Sequence, residues 1–243
     1  MIHNQLFFQL DTEWSALHLP ERPNGFGVLI IGDQNNFVEE NSSLWTQNYA
    51  RSQILNYLKE KGYTVFYSNL YGPNWGSSDS IKLAAQLYHV VMKREILNKR
   101  IHILAEGMGA LIAMQLINRM SENIRSVALL NPCIDLLAHI ENEKEHKFFY
   151  KKLIKEIAAS YQLSEKEVEV NFAQYAPKVN LSSPTIPIKI WQSTNEKTYI
   201  PEIHSRKYQN GNKKVTLSYH VSESTFAFSQ SVCNFFYEQE HEL

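Results

Sequence analysis

The groups best placed for chemistry in this chain meet at one abrupt turn. An apolar run, Ile101 to Leu104, passes through Ala105-Glu106-Gly107-Met108-Gly109 into an apolar helical tract ending near Met120. A helix that starts near Met108 offers unbonded backbone N–H groups and the positive end of its dipole. Those groups can hold a carboxylate or a carbonyl oxygen. The centre of the turn is Gly107, which has no side chain and so no nucleophile. Glycine suits a backbone with φ above zero, where another residue carries strain on the order of 1–3 kcal/mol. Glu106 does not replace the missing group, because its side chain points a different way. A dinucleotide-binding glycine loop is the competing reading. Against it, Gly107-x-Gly109 lacks a third glycine, lies mid-chain and has no acidic partner strand downstream.

Other reactive side chains are scattered. Ser77, Ser193 and Cys133 are candidate nucleophiles displaced from the turn, and His220 or another histidine is the base that they would need. Asp135, after Asn131-Pro132-Cys133-Ile134, is either an acid or a helix N-cap. His139 and His146 flank Glu141, Glu143 and Glu145, which superficially suggests metal ligands. No H-x-x-x-H or H-E-x-x-H pattern occurs, and a charged helix surface explains the cluster better. Cys133 and Cys233 read as buried free thiols. No metal or cofactor is implied.

The elements around the turn alternate. Gln5–Leu10 and Trp14–Leu19 read as a hairpin. Gly27–Ile31, Thr64–Asn69, Ile101–Leu104, Ser126–Leu130, Ile186–Trp191 and Val215–Val221 read as strands buried on both faces or nearly so. Helical spacing covers Leu44–Lys61, stopped by Gly62, then Ser80–Asn98, Gly109–Met120 and Phe228–Tyr237. Ile134–Tyr175 is mostly helical and charged, with an apolar stripe at Phe148, Phe149, Leu153, Ile154 and Ile157. This alternation predicts an α/β fold with a mostly parallel central sheet and helices on both faces.

The turn resembles the nucleophile elbow of the α/β-hydrolase family, whose pattern is G-x-S-x-G. Ala105 stands for the first glycine, Gly107 for the serine, and Gly109 for the last glycine. The hairpin, the Val28-Leu29-Ile30-Ile31-Gly32 strand and the Tyr71-Gly72…Gly76-Ser77 loop resemble the family's N-terminal half, in its order. The resemblance covers nearly the whole chain, as a single domain over 1–243 with a helical cap inserted at 134–183. It implies that Ile31 and Gly32 take the place of a His-Gly pair and that Asp33 offers an oxyanion-hole N–H. It puts Glu196 at the acid position, and a one-residue shift would put Asn195 or Lys197 there. The histidine position, within Ser222-Glu-Ser-Thr-Phe-Ala-Phe228, is held by Thr225. Threonine has no titratable nitrogen, so it cannot take a serine proton.

Two of three triad positions are thus replaced, at Gly107 and Thr225, and triad residues act as a unit. The resemblance then implies a non-catalytic protein that binds a small acyl- or carboxyl-type ligand, or a protein partner. Gly32, Asp33 and Met108 would hold the ligand. The alternative is an esterase, lipase or peptidase with a relocated nucleophile. A third reading is an interaction protein whose pocket has collapsed.

Bulk properties narrow the partners. The 243 residues carry 24 basic and 25 acidic side chains, a net charge of -1, which gives no general attraction to nucleic acid or anionic lipid. No stretch approaches the ~20 apolar residues that span a bilayer. Met1-Ile2-His3-Asn4-Gln5 lacks the marks of a signal peptide, so a cytoplasmic location is expected.

Overall fold

The computed structural model describes residues 4–179, 185–208, 214–220 and 225–240. Eight strands form one sheet: β1 (Gln5–Leu10), β2 (Glu13–His18), β3 (Gly27–Ile31), β4 (Thr64–Ser68), β5 (Ile101–Glu106), β6 (Ile124–Leu130), β7 (Ile188–Ser193) and β8 (Val215–His220). Their order is β1-β2-β4-β3-β5-β6-β7-β8. Only the β1–β2 and β2–β4 pairs are antiparallel, and the rest run parallel.

The pleat sends alternate side chains to opposite faces, and each face has its own core. Leu29, Ile31, Ile103, Ala105, Val127 and Leu129 pack on one side. There they meet α3 (Ser78–Arg94) and α4 (Gly109–Met120) through Leu87, Val91, Ile112 and Leu116. Val28, Ile30, Leu104 and Ala128 pack on the other. Those meet α2 (Tyr49–Glu60) and α9 (Thr225–Glu238) through Leu55, Leu58, Val232 and Phe236. Strands buried on both faces explain why the sequence shows continuous apolar runs rather than alternation.

The tract expected as one helix over Leu44–Lys61 is two: α1 (Leu44–Gln47) and α2. Asn48 separates them with extended dihedrals, φ -80 and ψ 125, and its side chain accepts the Arg51 N–H. Asparagine favours this capping geometry over helix interior, and so resets the chain direction. Gly62 ends α2 with φ +91; a Cβ there would come 2.8 Å from the Arg22 carbonyl.

Between β6 and β7 lie α5 (Leu136–Glu143), α6 (Lys147–Tyr161) and α7 (Glu165–Asn171). These inserted helices bury Leu136, Ile140, Leu153, Ile154, Ile157 and Val168 against Trp75, Met108, Leu111 and Tyr199. They therefore lean on the C-terminal ends of β4, β5 and β7, where the elbow lies. A short α8 (Pro201–His204) follows β7. Positions 180–183 of the expected cap lie outside the described residues.

Candidate functional site

Gly107 joins β5 directly to α4 with φ +50. Its N–H donates to the Leu130 carbonyl at 3.0 Å and its own carbonyl accepts the Cys133 N–H at 2.8 Å. Both bonds hold the turn against the loop after β6. Gly109 allows α4 to rest on β3, since a Cβ there would meet the Ile31 carbonyl oxygen at 2.5 Å. The turn thus has the geometry that its spacing predicts.

The space above Gly107 is filled. A Cβ on Gly107 would lie 2.2 Å from both Cγ and Oδ1 of Asp33. The Asp33 carboxylate therefore sits where the side chain of an elbow residue would begin. Its Oδ1 accepts the Met108 N–H at 2.9 Å and the Tyr199 hydroxyl at 2.8 Å. The Gln34 N–H adds a further bond. Gly32 brings this segment into place through a tight turn, closed by the Asn36 N–H on the Asp33 carbonyl at 2.8 Å. A Cβ on Gly32 would be 2.5 Å from the Asn36 side chain.

The Met108 N–H, expected to be open to a ligand, is thus donated to an internal carboxylate. The physical reason is electrostatic. A helix N-terminus attracts the nearest anion, and Asp33 is tethered beside it. Burial still raises the Asp33 pKa, against the three hydrogen bonds and the more distant Arg51 charge. A second carboxylate lies close by: Glu106 is 6 % exposed and pairs with Arg51, Nε to Oε2 at 3.0 Å. Burial raises its pKa and Arg51 opposes that rise, while Asp33 adds to it. Glu106 points toward α2, as the spacing implies, and Asp33 takes the place above the turn.

Among the described residues, the other expected side chains do not assemble a nucleophile and base. Glu196, at the acid position, accepts the Thr198 N–H at 2.8 Å within its own loop. Asn195 and Lys197, the alternatives by register, are both exposed. Thr225 opens α9, but its side chain and residues 221–224 lie outside the described residues. His220 ends β8, with its ring 6.4 Å from that of Phe228 and its Nε2 buried without a partner among the described residues. Ser77 bonds to Ser80 at 3.0 Å, and Ser193 accepts the Asn195 N–H at 3.3 Å. Cys133 is fully buried, and burial, with the Asp33 and Asp135 charges, pushes its thiol well above the usual range. A thiol so placed has almost no thiolate to attack with. Asp135 is an N-cap, accepting the Ala138 N–H at 3.0 Å.

His139 departs from the charged-surface reading. It is buried in α5, while His146 is exposed just before α6, so the two do not share one helix face. The His139 ring stacks on Trp75, with centroids 5.7 Å apart, and packs against Tyr199 and His204 at 5.2 and 5.7 Å. Among the described residues no group of three or more metal-ligating side chains converges.

A cavity of about 480 Å³ opens beside this cluster. Its walls include Gln34 and Asn35, next to Asp33, and Thr198, next to Tyr199. Trp75, His139 and Phe149 supply aromatic faces. It is a pocket of the size that takes a small molecule. The pocket below the inserted helices is therefore open. Tyr199, Trp75 and Arg51 complete the site, and nothing in their spacing announces them. Tyr199 is far from Asp33 in sequence, and only the strand order brings β7 and the loop after β3 to the same edge.

No family model matches the chain, and no curated protein matches it. Solved structures do. Est1E from Butyrivibrio proteoclasticus is 14 % identical with a TM-score of 0.64, covering 97 % of this chain and 98 % of that one. An α/β-hydrolase enzyme from the metagenome of Mar Chica lagoon sediments is 15 % identical with a TM-score of 0.59, covering 96 % and 99 %. A puromycin-hydrolyzing peptidase from Mycobacterium tuberculosis gives a TM-score of 0.70 at 14 % identity, over 94 % of this chain and 37 % of that one. With the strand order above, these likenesses establish the α/β-hydrolase fold.

Proposed function

We propose that this chain is a non-catalytic protein of the α/β-hydrolase fold that binds a small ligand beside its elbow. One observation carries the proposal: the Asp33 carboxylate occupies the volume of the absent nucleophile and takes the Met108 N–H. An acyl-enzyme needs a nucleophile at the turn and a free donor for the developing oxyanion. Gly107 supplies no nucleophile, and the Met108 donor is engaged.

The ligand's place is the cavity of about 480 Å³, beneath the α5–α6 helices acting as a cap over 134–183. The whole of 1–243 works as one domain in this reading. A neutral acyl chain suits the Trp75, His139 and Phe149 faces. The buried free thiols Cys133 and Cys233 fit a reducing, cytoplasmic setting. A relocated nucleophile is disfavoured, since neither Ser77 nor Ser193 is bonded to a histidine and the Cys133 thiol is held protonated.

The test is a panel of p-nitrophenyl esters of short to medium chain length, assayed with purified protein. Turnover at the buffer rate is expected throughout, together with a rise in melting temperature on adding a non-hydrolysable acyl amide. Turnover well above background that survives repurification would overturn the proposal.

A further inference from the structure

The inserted helix α6 has an outer side that its fold does not use. Its inner side is fixed by buried Leu153, Ile154 and Ile157. Helical spacing then sends Phe148, Lys152 and Lys155 to the opposite side and Lys151 to its flank. Phe148 and Phe149 are 76 % and 60 % exposed, packed edge to face with centroids 5.6 Å apart. Lys147, Lys151 and Lys155 stand one turn apart, exposed, and take part in none of the ion pairs among the described residues. The acids nearby are largely engaged. Glu141 pairs with Lys144 at 2.6 Å, Glu156 lies 3.5 Å from Lys152, and Glu143 lies 3.9 Å from His146. Glu145 is exposed and stands in none of these pairs.

We propose that this face docks on an anionic lipid surface. Aromatic side chains enter the boundary between headgroups and acyl chains, while lysines beside them remain among the anionic headgroups. The outer side of α6 offers both at once, with Phe148 beside Lys151, Lys152 and Lys155. A second copy of this chain fits less well, since a two-fold contact would set Lys147, Lys151 and Lys155 against their equivalents. An acidic protein would satisfy the lysines, and phenylalanines serve protein interfaces too, so that partner is an outcome the test distinguishes. The near-zero net charge of -1 conceals this local stripe. Phe149 and Lys152 also line the cavity beside the elbow, so docking brings its mouth to the lipid. The proposal needs no chemistry at the elbow, so it holds or falls whether or not the protein has enzymatic activity.

The test is co-sedimentation of the full-length protein with vesicles of phosphatidylcholine alone, and of phosphatidylcholine with phosphatidylserine. Binding to the mixed vesicles is expected to exceed binding to the neutral ones by roughly ten-fold at low salt, and to weaken as salt is raised. Phe148→Ser/Phe149→Ser should abolish it and Lys147→Glu/Lys151→Glu/Lys155→Glu should reduce it at least ten-fold, each with an unchanged melting temperature. Absence of binding by the unmodified protein would overturn the proposal. So would binding that survives loss of both phenylalanines, which would show adsorption by charge alone without insertion of the aromatic rings. Phenylalanine-dependent dimers in sedimentation velocity without lipid would point instead to a second copy.

Discussion

Gly107 and Asp33 share one volume, and each accounts for the other. An elbow residue with a side chain would strike the Asp33 carboxylate, with its Cβ 2.2 Å from Cγ. Gly107→Ser is therefore expected to destabilise the protein by about 2–4 kcal/mol, from overpacking together with a non-glycine residue at φ +50. In an Asp33→Ala background the same serine should cost about 1 kcal/mol or more less, because the clash is gone. A double-mutant cycle by urea denaturation measures this coupling. Equal costs in both backgrounds would show that the two residues do not compete for space. Neither variant should hydrolyse esters. The missing serine was legible in the sequence, because a glycine between Glu106 and Met108 stands out at a strand-to-helix turn. The direction of the Asp33 side chain was not. It depends on Tyr199, whose hydroxyl lies 2.8 Å from Oδ1 and whose position follows from β7.

At the level of elements, α5 is pinned to the sheet through buried imidazoles. Burial lowers the pKa of His139 to about 4, and that of His204 to about 3, from the usual 6.5. The His204 Nδ1 accepts the Ile134 and Asp135 N–H groups at 3.2 and 3.3 Å, which requires it unprotonated. A base with a lowered folded pKa contributes stability above its unfolded value, and that contribution is lost as pH falls toward the folded value. Melting temperature should therefore fall from about pH 6.5 toward about pH 4, and His139→Phe, which keeps the stack on Trp75, should flatten that fall. An unchanged slope in His139→Phe would remove His139 from the account. Asp33 has the opposite sign: its raised pKa gives stability when protonated, lost as pH rises through the folded value. Strands and most helices were readable because their apolar periods are long and clean, as in Gly27–Ile31 and Gly109–Met120. The break at Asn48 escaped notice because one capping hydrogen bond outweighs the helical spacing around it. The burial of His139 escaped because acidic neighbours mark only the outer side of α5.

On the scale of the whole molecule, the chain keeps every strand of a hydrolase sheet while its elbow is occupied from within. The fold alone does not assign an activity, and likeness to solved structures at 14 and 15 % identity establishes the architecture alone. No helix among the described residues is long and apolar enough to cross a membrane. Fold class was legible from the alternation of elements, since parallel sheets require crossover helices. The cavity was not, because its walls come from five separate segments that meet only after the sheet is ordered. The proposed non-catalytic role requires that no side chain among the described residues forms a covalent acyl-type adduct at the elbow. Its most direct test is intact-protein mass spectrometry after prolonged exposure to an alkyl fluorophosphonate. The unmodified mass is predicted, and a stoichiometric adduct mapping to one serine would contradict the account.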